Sequence, residues 1–229
     1  MAEAIVKCLK VCKVFGEGDL AVHALRDVDL EVMPGDFATL AGPSGSGKST
    51  LLNMIGALDG PSSGEVEIEG QRLSSLSKSA LSDLRLQKVG FVFQAFNLIP
   101  VLSAEENIEF VLELQGIGRD ERKARARQIL SDVGLSGMET RRPSALSGGQ
   151  QQRVAVARAL VSEPSIVLAD EPTANLDSAS TEELVQLMHK LNRERGTTFV
   201  IGTHDPRVIQ HSRRHIELLD GRVASDTRS

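Results

Sequence analysis

The chain has 229 residues, enough for one large domain with a core of its own. Its net charge of -5 argues against nucleic acid as the main partner, because a phosphate backbone calls for a basic face. Its apolar runs are strand-sized, short of the ~18 residues that cross a bilayer, and Met1-Ala2-Glu3-Ala4 does not start a secretory leader. The expectation is a cytoplasmic chain, with any membrane path on another polypeptide.

In chain order, residues 5–14 alternate like a strand and contain both cysteines. Four residues of strand separate Cys8 from Cys12 by ~13 Å, beyond the ~7 Å that a disulfide tolerates, so both are expected as free thiols. Residues 28–32 alternate, Pro34-Gly35 turns the chain, and residues 37–41 read as a short buried strand. A helix is expected over 51–58, a strand over 64–70, a helix toward the end of 73–86, and a strand over 89–93. The stretch 104–161 reads as helical in three pieces: 105–115, 119–133, and one from 147 or 148 to 160. Ala126, Ile129, Leu130 and Val133 fall at helical spacing. The basic run Arg119, Arg122, Lys123, Arg125 and Arg127 is therefore read as the solvated face of an amphipathic helix. A buried strand is expected over 166–169 and a helix over 178–195, with Leu184, Leu187, Met188 and Leu191 on its apolar face and Ser180 with Glu183 as a capping box. Strands over 197–202 and 216–219 follow, the latter turned by Asp220-Gly221. Strands and helices alternating around a long helical stretch predict an α/β core with an all-helical insert and no added regulatory domain.

Four motifs carry chemistry. Gly42-Pro43-Ser44-Gly45-Ser46-Gly47-Lys48-Ser49 has the spacing of a phosphate loop and sits between a predicted strand and helix. Its glycines let successive backbone N–H groups face phosphate oxygens. Lys48 is expected to reach the β- and γ-phosphates, Ser49 to ligate Mg²⁺, and Thr50 to hydrogen-bond a phosphate. Leu146-Ser147-Gly148-Gly149-Gln150 is a small Gly-rich loop ahead of a helix. Ile166-Val167-Leu168-Ala169 ends in Asp170 and Glu171, where a second carboxylate beside a metal-linked one is repulsive unless it has work to do. Thr203-His204-Asp205 follows another apolar run. Read alone, His204 is an ordinary polar loop residue.

In this order and spacing, the four motifs resemble the nucleotide-binding subunit of an ATP-binding cassette (ABC) transporter, over about residues 5–223. The resemblance implies a P-loop NTPase core with a mixed, largely parallel sheet, an antiparallel β subdomain and an α-helical insert subdomain. It implies a single ABC ATPase domain over 1–229, with 1–94 and 162–229 as core and 95–161 as the helical part. ATP and Mg²⁺ are the implied cofactors. By the same resemblance Asp170 is the Mg²⁺ carboxylate, bound to the ion directly or through water, Glu171 positions or deprotonates the attacking water, and His204 contacts the γ-phosphate and holds Glu171. Gln94 senses Mg²⁺ and water, and Phe15, where the family often has Tyr, stacks on adenine. Ser147, Gly148, Gly149 and Gln150 complete the site of a second copy in a head-to-tail homodimer. Asn175, Leu176 and Asp177 communicate between the two sites.

Residues 42–53, 93–100 and 171–177 resemble the branch that contains the lipoprotein-release and macrolide-export ATPases and a cell-division ATPase; an importer subunit is the alternative. That branch implies peripheral attachment to the cytoplasmic face of the inner membrane. The implied partner is a separate integral membrane permease with a large extracytoplasmic domain, docked near the apolar stretch Phe96, Leu98, Ile99, Pro100, Val101 and Leu102. The other reading of that stretch is packing under the helical insert. Chromosome-structure ATPases with the same signature have long heptad arms that are lacking here.

Overall fold

The computed structural model describes residues 3–228. Its strands are β1 (Val6–Phe15), β2 (Val22–Val32), β3 (Phe37–Ala41), β4 (Ser63–Ile68), β5 (Gln71–Arg72), β6 (Val89–Phe93), β7 (Ile166–Asp170), β8 (Thr198–Thr203), β9 (Arg214–Leu219) and β10 (Arg222–Arg228). Its helices are α1 (Lys48–Ile55), α2 (Lys78–Lys88), α3 (Ala104–Leu114), α4 (Arg119–Asp132), α5 (Gly148–Leu160), α6 (Ser178–Arg195) and α7 (Pro206–Gln210).

The alternating segments near the N-terminus form an antiparallel sheet in the order β2-β1-β4-β5. The more uniformly apolar segments form a second sheet, β10-β9-β3-β8-β7-β6, parallel except for the β10 edge. This matches the expected α/β class, since continuous apolar strands suit a parallel sheet covered on both faces. Period-two alternation splits the parallel sheet between two cores. Ile166, Leu168 and Val200 face α1 and the antiparallel sheet, with Leu25, Leu51, Met54 and Ile55 fully buried among them. Val167, Ala169, Phe199 and Ile201 face the other helices, with Ile108, Leu112, Leu130, Val154 and Met188. Each such side chain contributes about 1.5–3 kcal/mol by leaving water. Among the described residues no helix is long and apolar enough to cross a membrane.

Helix α4 buries Ala126, Ile129 and Leu130, as its spacing predicts, and Arg119, Lys123 and Arg127 stay exposed. Arg122 and Arg125, however, are half-buried, the first donating to the Ile117 carbonyl and flanked by Glu109 and Glu113, so the basic run is only in part a solvated face. Cys8 and Cys12 are free thiols, and burial, with Asp29 adding, pushes the Cys8 thiol up to about 12. Several expectations need correction. The first helix spans Lys48–Ile55 rather than 51–58, because Gly47 caps its start from a left-handed conformation and the chain turns at Gly56 and at Ala57, whose φ is 54. The strand expected over 64–70 stops at Ile68, where Glu69 and Gly70 turn into β5 at positive φ. The N-cap of α6 is Asp177, which accepts from the Ser180 amide at 2.9 Å and the Ser180 hydroxyl at 2.9 Å. The Ser180–Glu183 capping box is therefore absent, and Glu183 instead pairs with Arg153. Strand β10 was not anticipated because an exposed edge strand needs little apolar sequence. It is pinned by Arg214, 5% exposed, which bonds Asp226 at 2.9 and 2.6 Å and Asp36 at 2.6 Å.

Candidate functional site

Strand register builds the site before side chains do. Ala41 pairs with Thr203, Gly202 with Asp170, and Asp170 with Phe93. Four parallel strands thus end at one edge, and Gly42, Gln94, Glu171 and His204 follow those ends directly. The crevice at the carboxyl ends of an open α/β sheet is its usual ligand site.

At that edge the glycine loop is walled in by β9 and β2. Gly42 has φ 152 and Gly47 φ 106. A Cβ on Gly42 would stand 2.2 Å from the Leu218 carbonyl oxygen, and one on Gly47 2.6 Å from that of Ala24. Pro43, Ser44 and Gly45 are exposed, whereas Ser46 is buried with a hydroxyl that has no hydrogen-bond partner. The amides opening α1 at Lys48, Ser49 and Thr50 lack intrahelical acceptors and favour an anion. The buried Lys48 ammonium donates to the carbonyls of Gly42 at 2.8 Å and Pro43 at 3.0 Å. Among the described residues its third proton finds no acceptor, so the loop presents amides and one cation together.

Across from Lys48, Asp170 ends β7 with a buried Oδ1 that finds no hydrogen-bond partner. Burial raises its pKa above the ordinary carboxylate value and Glu171 adds to the rise, while the Ser49 hydroxyl and Lys48 pull it back. A carboxylate desolvated without a full set of donors suits a hard cation. No group of three or more His, Cys, Asp or Glu among the described residues could hold a metal by itself. Ser49 and Asp170 fit instead a Mg²⁺ ion that takes few protein ligands and shares the rest with phosphate and water.

The Glu171 backbone is pinned, its amide donating to the Gly202 carbonyl at 2.8 Å and its φ standing at 46. Its Oε1 lies 2.8 Å from His204 Nδ1. An ionised carboxylate only accepts, so the shared hydrogen belongs to Nδ1, and Nε2 of the exposed ring is left for another partner. Both residues border a cleft of about 580 Å³ with Thr173, Ala174 and Leu176.

Ser147 caps α5, accepting from the Gln150 amide at 3.3 Å while Gln150 Oε1 accepts from the Ser147 amide at 3.0 Å. Gly148 packs toward Leu176 and Asn175, and Gly149 toward Ser180. Asn175 donates to the Gln94 carbonyl at 3.0 Å, and Leu176 packs on the helical core. Asp177 is accounted for as the α6 cap. The Gln94 side chain is exposed. Phe15, 46% exposed at the end of β1, has Lys13 Nζ 5.0 Å from its ring centroid.

The apolar stretch after Gln94 divides. Leu98 packs on the helical core and Val101 is 69% exposed, so the stretch as a whole is no uniform exposed surface. A cavity of about 630 Å³ opens instead on the α2 and β6 side, lined by Leu58, Leu86, Phe91, Phe93, Asn97 and Leu114 among others. Sequence reasoning also missed three polar side chains on helices. Gln152 donates to the carbonyls of Pro172 at 2.7 Å and Phe93 at 3.3 Å. Arg158 donates to those of Phe96 at 2.9 Å and of Asn97. Asn107 bonds Ile99, Leu102 and Ser103. Gln152 had a signal: it falls on the buried stripe of α5 with Val156 and Ala159, where a polar residue needs a partner.

Residues 25–174 match the family model described as ABC transporter. The chain is 44% identical to a macrolide export ATP-binding/permease protein of Marinobacter nauticus, over 97% of this chain and 34% of that protein. It thus spans about a third of the length of such relatives. An uncharacterized ABC transporter ATP-binding protein of Thermotoga maritima is 45% identical over 96% of this chain and 93% of its own length. Among solved structures, a dimeric ATP-binding cassette in a post-hydrolysis state with ADP and Pi has a TM-score of 0.89 at 45% identity, covering 97% of this chain and 98% of that one. A component of an ABC transporter complex from Clostridium perfringens has a TM-score of 0.88 at 28% identity, covering 99% and 89%.

Proposed function

The chain belongs to the ABC transporter family, and from that membership we propose that it is an ATP-hydrolysing cassette that drives a membrane permease. The observation that carries the reading is the shared strand edge, where Lys48, the unpartnered Asp170 oxygen and the 2.8 Å Glu171–His204 pair come together. The amides of residues 42–49 and the Lys48 ammonium hold the β- and γ-phosphates, and Phe15 stacks on the adenine. Ser49 and Asp170 would hold Mg²⁺, with Gln94 nearby, and such an ion would supply positive charge against the phosphate oxygens. Glu171, oriented by His204, takes the proton of the attacking water or aligns it in line with the γ-phosphorus. Hydrolysis then needs no covalent intermediate on the protein, only positioning and charge.

The site is completed by a second copy, whose Ser147, Gly148, Gly149 and Gln150 face the γ-phosphate, while Asn175, Leu176 and Asp177 relay between the two sites. Support comes from the dimeric ADP- and Pi-bound neighbour and from the packing of Gly148 and Gly149 beside residues 175–180. Residues 95–161 are the helical subdomain and 1–94 with 162–229 the core on which it packs. On this reading the permease docks at the groove beside Phe91, Phe93 and Asn97, and the cassette works at the cytoplasmic face of the membrane; the apolar lining of that groove is the support. Similarity to macrolide export proteins favours the macrolide-export or lipoprotein-release branch over the cell-division and importer branches.

The test is nucleotide affinity and turnover of the purified chain with Mg-ATP. Lys48→Ala is expected to weaken ATP binding at least about tenfold, which is about 1.4 kcal/mol for a charge-assisted phosphate contact. Unchanged affinity would overturn the assignment of the loop.

A further inference from the structure

The segment that leaves β6 is held by its carbonyls. Gln152 donates to Phe93, Asn175 to Gln94, and Arg158 to both Phe96 and Asn97. Two of these side chains belong to α5, the helix that the Ser147 loop opens. Phe96 and Asn97 also stand at φ 57 and 51, a left-handed pair without a glycine. A bulky Phe does not hold that conformation by its own preference, so something must over-determine it. The guanidinium of Arg158 is the group placed to do so. Its fork spans two successive carbonyls that a left-handed pair turns to one side, and its charge is desolvated, its pKa lowered by burial. Gln152 is fully buried and ties the same strand end to Pro172, the residue after Glu171.

We propose that Gln152 and Arg158 are positioning residues: they lock the Gln94 segment to α5, so that Gln94 and the Ser147–Gln150 end of α5 take their places at an ATP site together. Neither touches nucleotide in this scheme. Arg158 acts through the main chain of residues 96 and 97, and Gln152 through that of residue 93 and of Pro172. The inference rests on the proposed ATPase reading for its kinetic part, but the restraint itself is independent of it.

The experiment has two arms. Arg158→Lys keeps the charge and loses the fork, so it cannot cap both carbonyls at once. By hydrogen–deuterium exchange, amides of residues 95–98 in Arg158→Lys are expected to exchange at least about tenfold faster, with α1 and β7 unchanged. Unchanged exchange in that segment overturns the proposal, whether or not the protein hydrolyses ATP. In the kinetic arm, Arg158→Lys is expected to lower kcat about tenfold with KM for ATP held within about twofold. In a Gln94→Ala background the same substitution is expected to change kcat by less than about twofold, because its route is already cut. Additive losses in the two backgrounds mean a general structural role and overturn the proposal. A parent protein without ATP turnover would refute the ATPase reading, and the exchange arm alone would then decide the restraint. Should Arg158→Lys fold poorly, Gln152→Glu, which keeps the shape and removes the amide donor, is read by the same cycle.

Discussion

Replacing His204 by alanine tests how Glu171 is held. The Glu171 backbone is fixed by its amide bond to Gly202 and by its turn with Ala174, whose amide donates to the Glu171 carbonyl at 3.2 Å. Neither bond restrains the side chain beyond Cβ. That restraint is the 2.8 Å contact to His204 Nδ1. Without it the two sp³ torsions offer about nine staggered wells, and confinement to one of them is worth RT ln 9, or about 1.3 kcal/mol. Walls of the cleft exclude some wells, which lowers that figure. Loss of a charge-assisted bond and displacement of the carboxylate by as little as ~1 Å raise it, the latter alone by about 10²-fold in rate. The expectation is a fall in kcat between about 10- and 100-fold, or about 1.4–2.7 kcal/mol. Lys48 and the amides of residues 42–49 are untouched, so ATP affinity is expected to fall less than kcat. Steady-state hydrolysis and equilibrium nucleotide binding measure the two. A kcat within about threefold of the parent would refute the claim that this bond positions Glu171, and a loss confined to ATP affinity would make His204 a binding residue.

Glu171→Gln preserves shape and removes the base, so the ATP-bound dimer is expected to accumulate on size-exclusion chromatography, and a monomer at high concentration with Mg-ATP contradicts the head-to-tail reading. Asp170→Asn removes a charge that burial already disfavours; it is expected to raise the melting temperature while abolishing hydrolysis, and a lower melting temperature would show that the charge is compensated. Arg214→Met removes the main cation from Asp36 and Asp226 and leaves Asp36 with Arg228 at 3.5 Å, and the expected loss is about 3 kcal/mol, at the low end for a buried pair because Asp226 is about a third exposed. That corresponds to about 6–12 °C in melting temperature for a chain of this size. Arg214 holds the Asp226 pKa below the ordinary value, so this stabilisation is full above about pH 4 and fades as the pH falls through the depressed value. The gap between parent and Arg214→Met in urea unfolding is therefore expected to narrow in acid; a constant gap would mean that packing, not charge, sets it.

Among the motifs, the glycine loop was legible because close backbone approach admits only glycine at positions 42 and 47, and a local rule leaves a local trace. The apolar stretches at 166–169 and 197–202 announced strands for the same kind of reason, the first of them a buried one, while their parallel pairing shows only in the fold. The apolar face of α4 and the free thiols of β1 were legible too, both consequences of spacing along one element, whereas the half-burial of Arg122 against Glu109 depends on the neighbouring helix. Which loops would meet was a different matter. Phe93, Asp170, Gly202 and Ala41 are far apart in the chain, and only the sheet order β3-β8-β7-β6 and its register bring their ends to one edge. The resemblance supplied that juxtaposition in advance; periodicity could not. Arg158 and Asn107 were invisible because a helical Arg or Asn reads as surface until its partner is known, and those partners are main-chain carbonyls 61, 62 and a few residues away in loops without periodicity. The Ser180–Glu183 box failed for a related reason: either Asp177 or Ser180 can cap a helix, and the choice fell to Asp177 where the chain leaves the loop of residues 173–176. Propensity and spacing act along the chain, whereas a hydrogen bond to a distant carbonyl exists only once the fold has set the distance.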